Sequence, residues 1–64
     1  MAMKRIKLTF ISNSVEIDEC IEYFHFRKRP IDIIRRKSMQ IILWANEEEI
    51  KIVQSLFRAT VNYL

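Results

Sequence analysis

In residues 5–11, Arg-Ile-Lys-Leu-Thr-Phe-Ile, polar and apolar side chains alternate from Arg5 to Phe10, and Ile11 follows. In an extended backbone, Ile6, Leu8 and Phe10 share one side and the polar residues share the other. A period of two in β-branched and aromatic residues is typical of a strand with one buried face. The sequence therefore predicts a strand over 5–11, and the rest of the fold is built outward from it.

A hairpin is predicted after the single proline, Pro30, which disfavours helix in the residue before it. Apolar residues alternate again over 31–36 and over 39–45, and polar residues 35–38 separate the two runs. We expect two strands joined by a turn at these positions. The apolar residues occupy both faces of this hairpin: Ile33, Ile41 and Leu43 on one, and Ile34, Ile42 and Trp44 on the other. Each face should therefore be covered by something.

Residues 14–26 allow two interpretations. In the first, Asn13 caps a helix, Glu16 completes a capping box, and the helix runs to Phe26. In the second, residues 13–14 form a turn and a further strand includes the aromatic residues 23–26, which favour extended structure. The helix is favoured, because its apolar residues follow helical spacing. These residues are Ile17, Cys20, Ile21 and Phe24.

The final segment is predicted to be one helix from Asn46 to the last residue. Asn46 is a suitable N-cap and Glu49 stands at the capping-box position. One helical stripe is predicted to pack on the sheet; it comprises Ile50, Val53, Leu56, Phe57, Thr60, Val61 and Leu64. A second stripe contains Ile52, Ala59 and Tyr63, and we expect it to contact a partner.

The predicted fold is α+β, a single small domain over residues 1–64 in the order β-α-β-β-α. A three-stranded, mainly antiparallel sheet carries the C-terminal helix and a second helix at 14–26. The alternative has four strands followed by one helix. With 64 residues, half of them hydrophobic, the chain has a small core. A partner protein or a homodimer would supplement its stability.

Composition argues against most kinds of chemistry. One cysteine permits no disulfide, and a chain without glycine has no glycine-rich phosphate loop. Cys20 and His25 are five residues apart and share no helix or strand face, so a catalytic pair is not expected. We expect no enzyme activity, no cofactor and no metal site. The longest apolar run, residues 41–45, is too short to cross a membrane, and the protein is expected to be cytoplasmic.

Positive charge is concentrated in the first part of the chain. The 11 Lys and Arg residues exceed the 8 Asp and Glu residues, and nine of the cations lie within residues 4–37. Such segregation is typical of surfaces that contact phosphates. The alternative functional hypothesis is therefore a small basic nucleic-acid-binding domain, with Tyr23 or Phe26 stacking on bases. Its phosphate contacts are predicted at Lys4, Arg5, Lys7, Arg27, Lys28 and Arg29.

The leading hypothesis is a non-enzymatic interaction protein that binds and modulates a protein target, with inhibition as the expected effect. The surplus apolar residues of the hairpin and of the last helix favour it, because Trp, Tyr and Arg are enriched at binding hot spots. The chain is also rich in Ile and lacks Gly, as in many phages, so a phage or mobile-element accessory protein is expected. The predicted contacts are Ile34, Arg35, Arg36, Lys37, Ile42, Trp44 and Tyr63.

Overall fold

A computed structural model describes residues 2–11 and 14–64 of the chain. Two helices and an antiparallel sheet form a small α+β fold. In chain order the elements are β1 (Met3–Phe10), α1 (Ser14–Phe26), β2 (Ile31–Arg35), a 3₁₀ turn (Arg36–Ser38), β3 (Gln40–Asn46), α2 (Glu47–Leu56) and β4 (Ala59–Tyr63). This β-α-β-β-α-β order places one helix after the first strand and one after the third.

The sheet has the strand order β2-β3-β1-β4, and every neighbouring pair is antiparallel. On the central pair, Ile6 lies opposite Leu43 and Leu8 lies opposite Ile41. On the other side of β1, Leu8 lies opposite Val61. The element order and the strand order together give the ferredoxin-like, split β-α-β topology. This topology serves many unrelated functions, so function has to be argued from individual residues.

Both helices pack on the same face of the sheet. Apolar residues from α1, from α2 and from one side of β1 and β3 form one continuous core. Its buried members are Ile6, Leu8, Phe10, Ile17, Cys20, Ile21, Phe24, Ile41, Leu43, Ala45, Ile50, Val53 and Phe57. The opposite face of the sheet receives neither helix. Both faces of the hairpin were expected to be covered. The helices cover the face that contains Ile41 and Leu43, and they leave the face that contains Ile42 and Trp44 uncovered.

The helical interpretation of residues 14–26 is confirmed, and the alternative strand is wrong. The α1 helix buries Ile17, Cys20, Ile21 and Phe24, the residues at helical spacing. The proposed cap, Asn13, lies outside the described residues. The capping box of α2 is also confirmed, since Asn46 Oδ1 accepts a hydrogen bond from Glu49 N at 2.8 Å and Asn46 N donates one to Glu49 Oε1 at 3.0 Å.

The predicted C-terminal helix is wrong beyond Leu56. The chain becomes extended at Phe57 and then forms β4, so the sheet has four strands rather than three. Residues 59–63 contain Thr, Val and Tyr, which favour strands, and they fill the free side of β1. The second helical stripe, Ile52 with Ala59 and Tyr63, does not exist, because the last two lie on β4.

The hairpin prediction is correct in outline and shifted at its ends. Strand β2 ends at Arg35, a 3₁₀ turn follows, and Met39 adopts a left-handed conformation with φ of 54° before β3. A register shift between Ile31 and Ile33 marks a bulge at Asp32. This bulge turns the Asp32 side chain towards Arg5 of β1, with which it forms an ion pair.

Candidate binding face

The face of the sheet that lacks helices is the candidate functional site, and we call it the open face. Alternation along the strands and the observed registers identify its members. They are Arg5, Lys7 and Thr9 from β1; Ile33 and Arg35 from β2; Gln40, Ile42 and Trp44 from β3; and Thr60 and Asn62 from β4. Asp32 joins this face through its bulge.

An apolar strip crosses the open face at β2 and β3. Trp44 is 48% exposed, although it lies on a central strand. Ile42, two residues earlier on the same face, is 6% exposed, and Ile33 lies opposite it on β2 with 37% exposure. A half-exposed tryptophan in the middle of a sheet is a large apolar surface that the fold itself does not use.

Cations flank this strip. Arg5 lies directly opposite Trp44 in the β1–β3 register, and Lys7 lies opposite Ile42. Arg5 Nε is 3.5 Å from Asp32 Oδ2, a long and exposed contact that contributes little stability. Asp32 is the one acid in the four strands, and the other seven Asp and Glu residues of the chain lie in α1 and α2. The open face is therefore positive and the helical side carries the acids.

A groove of about 450 Å³ lies at the end of the sheet where the open face, with Arg5 and Trp44, meets the helical side, with Lys4 and Tyr63. It is lined by Met3, Lys4, Arg5, Trp44, Tyr63 and Leu64. The Lys4 ammonium sits 5.3 Å from the centre of the Tyr63 ring and also pairs with Glu47. The hydrogen bond and charge of Glu47 raise the pKa of Lys4 above its ordinary value. The groove thus joins two exposed aromatic rings to two cations.

A second cluster of charge holds the two helices together and is already satisfied. The Glu49 side chain has no exposed surface, and its Oε2 accepts hydrogen bonds from Arg27 Nε at 2.8 Å and Arg29 Nε at 2.9 Å. Burial alone would raise the pKa of Glu49, but these donors and the Asn46 amide lower it below its ordinary value. Arg27 and Arg29 therefore complete an internal network.

The turn after α1 directs these arginines towards Glu49. Lys28 has a φ of 58°, its amide bonds to the His25 carbonyl, and the Arg29 amide bonds to the Phe24 carbonyl. This pair of hydrogen bonds is a Schellman motif, in which the left-handed position is usually glycine. The chain has no glycine, so a lysine occupies it.

The residues predicted to contact nucleic acid are split by the structure. Arg5 and Lys7 lie on the open face. Lys4, Arg27 and Arg29 form ion pairs with Glu47 or Glu49 at the start of α2. Lys28 is exposed in the turn after α1. Of the predicted stacking residues, Phe26 is 87% exposed at the end of α1, whereas Tyr23 is partly buried against the core.

The residues predicted to bind a protein target are also divided. Arg35, Ile42 and Trp44 belong to the open face, whereas Tyr63 lies opposite Ile6 on the helical side of β4 and lines the same groove as Trp44. Ile34 points towards the helical side of the edge strand β2 and is 43% exposed. Arg36 forms an ion pair with Asp18 of α1 at 2.6 Å, and Lys37 is exposed in the turn. Three of the seven predicted residues, Arg35, Ile42 and Trp44, thus share the open face.

Catalytic groups are not assembled around the lone cysteine. Cys20 has no exposed surface, its pKa is raised to about 12 by burial, and His25 is exposed on another side of α1. Across residues 2–11 and 14–64, His, Cys, Asp and Glu side chains nowhere gather in a group that could hold a metal ion. In the same residues, neither helix is long and apolar enough to span a membrane.

Several open-face residues were missed by the sequence analysis, notably Ile33, Thr60 and Asn62. Thr60 and Asn62 were missed because the sequence analysis assigned the C-terminal segment to a helix, whereas it forms strand β4. For Ile33, the bulge at Asp32 reverses the face that simple alternation assigns. A pairing of β1 with β3 was the missing step, because it places Arg5 beside Trp44 at once.

Comparison with protein-family models, with curated proteins and with solved structures finds no match to this chain. The functional argument therefore depends on the residues of the open face.

Proposed function

We propose that the open face binds single-stranded nucleic acid and that the protein acts as a binding protein rather than an enzyme. The observation that carries this proposal is the pairing of half-exposed Trp44 with Arg5 on the two central strands. An exposed aromatic ring on a sheet can stack on an unpaired base. An adjacent guanidinium can contact the neighbouring phosphate or stack on a second base.

The charge distribution supports this proposal. Arg5, Lys7 and Arg35 lie on the open face, and Asp32 is the acid that accompanies them. The remaining seven acids lie in the helices, so a polyanion meets fewer negative charges on the open face than on the helical side. We therefore propose phosphate contacts on the open face rather than at Lys4, Arg27 and Arg29, whose charges already form ion pairs.

Neutral polar side chains complete the chemistry. Thr9 of β1 lies opposite Gln40 of β3 on one side and opposite Thr60 of β4 on the other. Asn62 of β4 lies opposite Lys7. Amide and hydroxyl groups both donate and accept hydrogen bonds, as the edges of unpaired bases require. They share one face with Trp44 and the cations, so the open face carries the three kinds of group that single-strand binding uses.

Fluorescence titration tests this proposal directly, because Trp44 is the single tryptophan of the chain. Single-stranded oligonucleotides of mixed sequence should quench its emission, and the affinity should fall steeply as salt rises. Trp44→Ala should weaken binding, measured by anisotropy of a labelled oligonucleotide, by roughly tenfold to a hundredfold, whereas Trp44→Phe should keep most of it. Unchanged emission and equal affinity of the three proteins would overturn the proposal.

A second candidate function is the leading sequence hypothesis, in which the chain binds and modulates a protein target; the cations of the open face favour an acidic one. The apolar strip of Ile33, Ile42 and Trp44 favours it, because an apolar centre with an arginine rim is the usual anatomy of a protein interface. A photo-crosslinking residue at Ile33, introduced in the intact chain, separates the two candidates. Covalent adducts to one protein that Trp44→Ala abolishes support the second; adducts to nucleic acid support the first.

A further inference from the structure

The two edges of the sheet differ in how they are protected against pairing with another strand. Edge strand β2 follows Pro30, contains the bulge at Asp32 and carries charged residues at positions 32 and 35. Bulges, charges and prolines are the devices that block edge-to-edge pairing. Edge strand β4, Ala-Thr-Val-Asn-Tyr, has no charge, no proline and no register shift against β1.

Strand β4 offers a regular set of backbone groups on its outer side. It pairs with β1, and no strand of the described sheet lies on its other side. The Leu64 amide donates to the Arg5 carbonyl, and the Ile11 amide donates to the Arg58 carbonyl. Antiparallel alternation then directs the peptide groups of Ala59, Val61 and Tyr63 away from β1. These three residues carry the donors and acceptors that a further strand would use.

We propose that two copies of this chain pair antiparallel through their β4 strands, about a two-fold axis at Val61. In this register Val61 lies opposite Val61 of the second copy, and Ala59 lies opposite Tyr63 of the second copy. Both are hydrogen-bonded pairs, because the peptide groups of these residues point away from β1. On the open face the same register places Thr60 opposite Asn62 of the second copy. The inference concerns the edge of the sheet and does not rest on what the open face binds.

The side chains of β4 complement themselves in this register. The small side chain of Ala59 meets the large ring of Tyr63, and the hydroxyl of Thr60 meets the amide of Asn62 at hydrogen-bonding separation. Because β4 carries no charge, the two-fold axis brings no like charges together within the strand. A second copy therefore fits β4 better than an arbitrary peptide. Because the axis is normal to the sheet, the open faces of both copies would form one continuous surface.

Charge substitutions on the open-face side of β4 test this dimer. Thr60→Glu with Asn62→Glu places two glutamates opposite each other across the axis, whereas Thr60→Lys with Asn62→Glu places opposite charges there. Both double variants share the change at Asn62, which lies opposite Lys7 within one copy, so they form a matched pair. Light scattering coupled to size-exclusion chromatography measures the mass, and circular dichroism verifies that each variant is folded.

We expect a dimer for the wild type and the Lys/Glu variant, and a folded monomer for the Glu/Glu variant. Hydrogen exchange gives an independent measurement on the wild type. The Val61 amide should exchange rapidly in dilute protein and slowly in concentrated protein, while the Asn62 amide, which faces β1, is protected in both. A wild type that stays monomeric at high concentration, or a dimer that survives in the Glu/Glu variant, would overturn the inference.

Discussion

Arg29 Nε donates a hydrogen bond of 2.9 Å to Glu49 Oε2, on a carboxylate whose side chain has no exposed surface. Glu49 also accepts from Arg27 Nε and caps the first turn of α2 through Asn46. One buried carboxylate thus connects the turn after α1, the end of β3 and the start of α2. Removing the charge of Glu49 should weaken the contacts among all three elements and so lower the free energy of unfolding.

Glu49→Gln should lower the free energy of unfolding at neutral pH by about 1.5–3 kcal/mol, the usual contribution of hydrogen bonds to a charged group. The folded protein holds the pKa of Glu49 below its ordinary value, so its contribution is complete above that value and is lost as the pH falls through the lowered pKa. The difference between wild type and variant should therefore shrink in acid. Urea denaturation across a pH series measures it.

Glu48→Gln is the control for this series, because Glu48 is the exposed neighbour of Glu49 on the same helical turn. It removes the same charge close to the positive end of α2, and it should change the unfolding free energy only slightly. Equal destabilisation by the two substitutions would show that the helix N-terminus, rather than the buried network, is responsible.

Lys28→Gly should stabilise the fold by about 0.5–1 kcal/mol. A residue with a Cβ atom is strained in the left-handed conformation, and Lys28 has a φ of 58°. Glycine relieves that strain, although part of the gain is offset by its greater freedom in the unfolded chain. Thermal and urea unfolding provide the measurement. Lys28→Ala, which loses the same charge but keeps Cβ, should give no such gain; a similar effect of both variants would assign it to charge.

The thiol of Cys20 should be inert in the folded protein. Burial removes it from solvent and raises its pKa to about 12, so almost no reactive thiolate is present at neutral pH. A thiol reagent such as dithionitrobenzoate should react slowly with the native chain and rapidly after addition of urea. The logarithm of the native rate should increase in Glu49→Gln in proportion to the loss of unfolding free energy, because reaction requires the opened state. A fast native rate would contradict the buried position.

The sequence was sufficient for elements whose signals are local. The alternation of residues 5–11, the helical spacing around Cys20 and the cap at Asn46 each predict structure without knowledge of the partner element. The C-terminal segment was different, because Val61 fits both a helical stripe and the alternation of a strand. The free side of β1 decides between them, and that is a long-range interaction, with Leu8 opposite Val61.

The candidate site was only partly predictable for the same reason. Trp44 and Lys7 could be identified as unusual residues from composition and alternation. Their common face depends on the register of β1 with β3, which brings Lys7 opposite Ile42. Arg27 and Arg29 were predicted to contact phosphates because no sequence pattern indicates that they pair with the buried Glu49. Charge clusters predict a surface only after their internal partners are known.

Charge reversal at Lys7 should weaken binding of single-stranded nucleic acid. Lys7 lies on the open face beside Trp44, and we expect it to contact a phosphate. Lys7→Glu should lower the affinity and should reduce the slope of log affinity against log salt by about one. Anisotropy titrations of a labelled oligonucleotide at several salt concentrations measure both quantities. Arg35→Glu, on the same face, should act in the same direction.

Lys51→Glu is the matched control, because it makes the same change in net charge at an exposed position on α2. If the open face binds the oligonucleotide, the position of the charge matters, and Lys51→Glu should leave the salt slope unchanged with a small loss of affinity from long-range repulsion. Equal losses for Lys7→Glu and Lys51→Glu would mean that only net charge attracts the polyanion. The open face would then have no specific role in binding it.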